Sequence, residues 1–177
     1  MVYGNVDEVE LVLNGKTIRR QTADKGPDSD YIPVPNGGNG KNLHFPPFTF
    51  YGVSKERGVL KAVGYHQGKK VAEYTVKTPG VPERLDITYF ESGKPATKND
   101  LLIVYVRMLD KQGVLCPVNG IPVELSVQGG EIVGPTSYPL EAGVASFLVR
   151  TGEISKININ ATGKGFSTRK SLKVGKE

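Results

Sequence analysis

Apolar and polar residues alternate along most of this chain, and no long stretch fits a helical period better than a strand period. In residues 9–13, Val9, Leu11 and Leu13 share one face, and the Asn14-Gly15 pair that follows is a strong short hairpin signal because both positions favour positive φ. The return strand covers 16–20. Residues 21–42 are rich in Gly, Pro, Asp and Asn around Gly37-Gly38-Asn39-Gly40 and are expected to form a long surface loop. Strand pattern resumes at Leu43, His44 and Phe45, again over 49–51, and then over 58–65, with Gln67-Gly68-Lys69 turning the chain into 71–77. On that last strand Ala72, Tyr74 and Val76 are expected to face inward.

Thr78-Pro79-Gly80-Val81-Pro82 interrupts the pattern, because two prolines remove ladder donors, and a domain boundary is expected there. Beyond it, strands are predicted over 85–90, 101–109, 123–127, 142–150, 155–162 and 168–174. Leu102, Val104, Val106 and Met108 share a face, as do Ala145, Phe147 and Val149, and Ile157, Ile159 and Ala161. The reading is an all-β chain of two tandem immunoglobulin-like β-sandwich domains, residues 1–79 and 83–177, the second lacking the Cys and Trp of antibody domains.

Composition agrees with folded domains: 177 residues, 38% hydrophobic and 23% charged, with Gly 22 and Pro 12 punctuating the apolar runs. The net charge of +5 raises the question of nucleic acid. Its carriers are scattered, at Arg19-Arg20, Lys69-Lys70 and singly among small residues towards the C-terminus, so a solvated surface is expected rather than a nucleic-acid site. No apolar run reaches the roughly 20 residues of a membrane span.

Catalytic chemistry finds little support. The sequence-close carboxylates Glu8/Glu10 and Asp28/Asp30 lie on an outward strand face and in the Gly-rich stretch, where neither pair would hold a fixed separation across a sugar. His44 and His66 have no Cys or acidic partner at ligand spacing, and Cys116, alone, reads as a buried bystander. Asn160-Ala161-Thr162 fits a glycosylation acceptor, yet it sits within a strand pattern. No catalytic, metal or cofactor residue is assigned. Tyr31, Phe45 and Tyr51 are candidate sugar contacts among the aromatics around the long loop, whereas Phe48 and Phe50 are expected in the core.

Two phrases carry a resemblance. Val2-Tyr3-Gly4-Asn5-Val6-Asp7-Glu8-Val9-Glu10-Leu11-Val12-Leu13-Asn14-Gly15-Lys16, and then Gly58-Val59-Leu60-Lys61-Ala62-Val63-Gly64-Tyr65 with Gly68-Lys69 and Val71-Ala72, resemble the domain after the catalytic barrel in bacterial glycoside hydrolase family 2 enzymes of the β-galactosidase type. The stretch from Asn99 to Gly113, with Pro117, Val123-Glu124-Leu125 and Gly143-Val144-Ala145, is similar to the invasin-like or bacterial-Ig-like domain that ends such enzymes. The resemblance implies a non-catalytic accessory region. Its partners would be the catalytic TIM barrel and other domains of a bacterial parent, in the periplasm or outside the cell, with no cofactor. It also implies a first domain lacking its opening strand, and so an exposed or irregular edge there. An independent carbohydrate-binding or adhesin-like module is the alternative.

Overall fold

The computed structural model describes residues 1–24, 46–90 and 95–175. The chain divides into two compact units, Met1–Thr78 and Pro79–Glu177. Among the described residues there is no helix, and every ladder is antiparallel.

The first unit is built on one four-stranded sheet. Its strands are β1 (Glu8–Leu13), β2 (Lys16–Thr22), β3 (Val59–His66) and β4 (Lys69–Lys77), arranged β2-β1-β3-β4. Each hairpin closes through two residues with positive φ, Asn14 (50°) and Gly15 (80°) between β1 and β2, and Gln67 (49°) and Gly68 (75°) between β3 and β4. Turns of this hand match the right-handed twist of the strands they join, which is why the sequence marks them so clearly. Asn14 does more than turn. Its amide nitrogen donates to the Arg57 carbonyl, and its oxygen accepts from the Val59 N–H at 2.8 Å, so one side chain fixes where β3 begins.

Register sorts the side chains by face. Leu11 stands opposite Ala62, which stands opposite Tyr74, and Leu13, Leu60 and Val76 form a parallel row. This face is apolar, and Val9 and Leu11 are buried in it. Ala72, Tyr74 and Val76 do share it, as their spacing implied, but they do not point into a core: Tyr74 is 72% exposed and Val76 51%. The reason is position, since β4 ends the sheet and all nine of its residues are exposed. Residues 49–51 form no strand either. Phe48 makes an isolated bridge to Val2 and is fully buried, while Phe50 is half-buried.

The second unit encloses a larger core. Its strands are β5 (Pro82–Tyr89), β6 (Leu101–Asp110), β7 (Pro122–Gln128), β8 (Gly130–Ile132), β9 (Ser137–Pro139), β10 (Val144–Thr151), β11 (Lys156–Gly163) and β12 (Phe166–Lys173). They form two sheets, β5-β6-β10-β8 and β12-β11-β7-β9. Leu102, Val104, Val106 and Met108 from β6, Ala145, Phe147 and Val149 from β10, and Ile157, Ile159 and Ala161 from β11 all bury in one cluster, the faces their alternation predicted. This is the β-sandwich of immunoglobulin-like domains. Pro82 opens an edge strand, a place where a missing N–H costs no ladder bond.

Two details lock this unit. Asp110 is 4% exposed and its carboxylate accepts backbone N–H bonds from Gly80, Gln112 and Val114 at 2.7–2.8 Å, which ties the start of the unit to the turn after β6. Gly143, at φ 86°, lies so close to the Cys116 carbonyl that a Cβ there would sit 2.1 Å from its oxygen.

Candidate functional site

The first unit presents two unlike surfaces. On one face of its sheet, polar side chains at matched registers neutralise one another. Arg20 pairs with Glu8 at 2.7 Å and lies 3.7 Å over the Tyr65 ring. Tyr65 and Thr17 both donate to Glu10 at 2.7 Å, and these bonds hold the Glu10 carboxyl below the usual carboxylate range while raising the Tyr65 phenol. Glu73 takes Lys70 at 2.6 Å and Lys61 at 2.9 Å, and the two donors lower its carboxyl in the same way. At the hairpin end, Asp7 accepts from the Gln67 N–H and meets His66 Nδ1 at 3.0 Å, the backbone bond chiefly lowering its pKa. Each of Glu8, Glu10 and Glu73 therefore already has a cation or a hydroxyl.

The other face is apolar and partly open. Met1, Val2, Tyr3, Leu11, Leu60, Ala62, Tyr74 and Val76 line a groove of about 380 Å³. Tyr3 is 71% exposed at its rim. The lining side chains offer hydrocarbon and two phenol rings and no charged side chain, so the groove suits packing by an apolar segment better than chemistry. Sequence alternation put Tyr74 and Val76 on one face with Ala72, and the register adds Leu60 and Ala62 to their rows. Alternation could not show the rows standing open, because a period of two gives the face and not its cover.

Of the candidate sugar contacts, Tyr31 and Phe45 lie outside the described residues, as do Asp28, Asp30 and His44. Tyr51 is half exposed. Among the described residues no group of three His, Cys, Asp or Glu side chains converges as metal ligands would. Cys116 is buried, and burial, followed by the nearby Asp110 charge, pushes its thiol pKa up. No described helix is long and apolar enough to cross a membrane.

An antiparallel sheet unit followed by a β-sandwich defines the chain as an all-β module. Comparison with known proteins gives it a family. Residues 1–72 match a family model described as "Domain of unknown function (DUF4982)". A β-galactosidase of Rhizobium radiobacter is 30% identical over 129 residues, 72% of this chain and 92% of that protein. A β-galactosidase of Thermoanaerobacter pseudethanolicus is 29% identical over 163 residues, 85% of this chain and 20% of that protein. Among solved structures, a β-glucuronidase from glycoside hydrolase family 2 superposes with a TM-score of 0.74 at 22% identity, over 98% of this chain and 18% of that one. The chain belongs to glycoside hydrolase family 2, as a C-terminal accessory region of the β-galactosidase type. It spans a fifth or less of the length of the first two curated relatives it matches.

Proposed function

We propose that this chain is the non-catalytic accessory part of a β-galactosidase-like enzyme and that it supports a catalytic barrel carried elsewhere in the parent polypeptide. One observation carries the reading: a chain whose described residues hold strands and no helix aligns over 85% of its length with a fifth of a β-galactosidase. The charge pattern supports it. Hydrolysis of a glycoside needs two carboxyl groups facing one another across the sugar, about 5–9.5 Å apart. Here Glu8, Glu10 and Glu73 are spent on neighbours within their own sheet, and Asp110 on backbone N–H groups.

The test has two arms. The purified 177-residue chain is expected to release no nitrophenol from 4-nitrophenyl β-D-galactoside, and turnover abolished by substituting one of its own carboxylates would overturn the reading. Removing the matching segment from the Thermoanaerobacter pseudethanolicus β-galactosidase is expected to lower that enzyme's melting temperature. An unchanged melting temperature would leave no supporting role.

A further inference from the structure

The free edge of β4 is built to pair. Nothing among the described residues is hydrogen-bonded to its outer side, and it is the longest strand of its sheet. In antiparallel ladders, opposed residues alternate between exchanging two hydrogen bonds and exchanging none. The Thr78 N–H donates to the Gly58 carbonyl, and with Val76 opposite Leu60 and Tyr74 opposite Ala62 this fixes the phase. Val76 and Tyr74 bond inward to β3. Glu73, Thr75 and Lys77 therefore turn their N–H and C=O groups outward, off the edge.

We propose that this edge pairs with the same edge of a second copy of the chain, antiparallel and about a two-fold axis at Thr75. In that register Thr75 faces Thr75 of the second copy, and Glu73 faces its Lys77, twice over by symmetry. Tyr74 faces its Val76 on the opposite, apolar face. Three properties select this arrangement. Glu73 is the only acid in Lys69–Lys77, and Lys77 is the cation on the same face with no ion pair among the described residues, so the register brings opposite charges together. The segment from Glu73 to Lys77 is regular, whereas the register shift opposite Gly64/Tyr65 disturbs the strand before it. The apolar row Leu11, Ala62, Tyr74 would run on into the second sheet, covering part of the exposed Tyr74 and Val76 surface. A sheet edge this long and this regular is what other proteins cover or break to avoid such pairing, and self-pairing about a two-fold is the commonest closed form of it.

Sedimentation equilibrium on the full chain tests the proposal. The weight-average mass is expected to rise with concentration from 19.1 kDa towards twice that value. Thr75→Pro removes an N–H that serves the second copy and no bond to β3, so this variant is expected to remain monomeric with an unchanged far-ultraviolet spectrum. Should the proline disturb folding, Lys77→Glu reads the same contact from an exposed residue with no ion pair among the described residues and is likewise expected to be monomeric. Thr75→Cys in a Cys116→Ser background is expected to form a disulfide-linked dimer on oxidation, since facing Cα atoms of such a pair lie about 5.5 Å apart. A wild-type chain that stays at monomer mass up to millimolar concentration overturns the proposal, as does a folded Thr75→Pro or Lys77→Glu variant that associates as strongly as wild type.

Discussion

At the scale of single residues, stability rests on a few positions where a small change meets backbone. Gly143 combines a positive φ with a carbonyl 2.1 Å from where a Cβ would stand, so Gly143→Ala must move the Cys116 segment. We expect a loss of at least 2 kcal/mol, measured by denaturant unfolding, well above the ordinary cost of a surface change. Asp110 makes a prediction with a sign in pH. Its folded carboxyl is held below the ordinary value, first by the Gly80 N–H and then by Val114, so the unfolded chain takes up the proton more readily. The stabilisation is full above the unfolded carboxyl's pKa, near 4, and fades as pH falls below it. Asp110→Asn should therefore lower the melting temperature at pH 7, and the gap to wild type should shrink below pH 4. A gap that stays constant to pH 2 would show that the charge is not what matters.

At the scale of elements, turn chemistry and alternation made most of the fold legible. Asn14-Gly15 and Gln67-Gly68 are hairpins because their residues tolerate the left-handed region, and the β6, β10 and β11 faces bury as their period implies. Three failures have physical reasons. β8 and β9 are three residues each, too short to show any period, and they exist because β10 and β7 offer them an edge. Residues 49–51 alternate like a strand, yet the Thr49 N–H and carbonyl are taken by the Asp24 and Gln21 side chains and not by a ladder. Tyr74 and Val76 have core chemistry on a strand that ends its sheet among the described residues. The candidate surface was thus readable only in part: the faces of Leu11, Tyr74 and Val76 follow from alternation, whereas their meeting with Met1, Val2 and Tyr3 and the openness of the groove do not. Asn14 yields a prediction here. Asn14→Ala removes both the bond to the Arg57 carbonyl and the bond from the Val59 N–H, and about 1–2 kcal/mol should be lost on the usual cost of such bonds. Gly at the same position would keep the turn and lose only the bridge, so the difference between the two variants isolates the turn.

At the scale of the molecule, the two units are unequally filled. Among the described residues the first buries Val9, Leu11, Phe48 and Val63, whereas the second gathers nineteen buried apolar residues in one cluster. Calorimetry should accordingly show two transitions, with the first unit melting earlier. Phe147→Ala, which empties a site 3% exposed, should cost about 3–5 kcal/mol and lower only the upper transition, while Phe48→Ala should remove the lower one. A single transition shifted by both variants would refute this division. The bonds around Asp24 have a separate consequence. Asp24 donates its N–H to the Pro47 carbonyl and accepts from the Thr49 N–H and hydroxyl, while Gln21 donates to the Thr49 carbonyl, so the chain is stapled where it leaves β2 and where it returns. Asp24→Ala would leave only the Pro47 carbonyl and Gln21 to hold residues 21–24 against 47–49, so the lower calorimetric transition is expected to fall while the upper one stays.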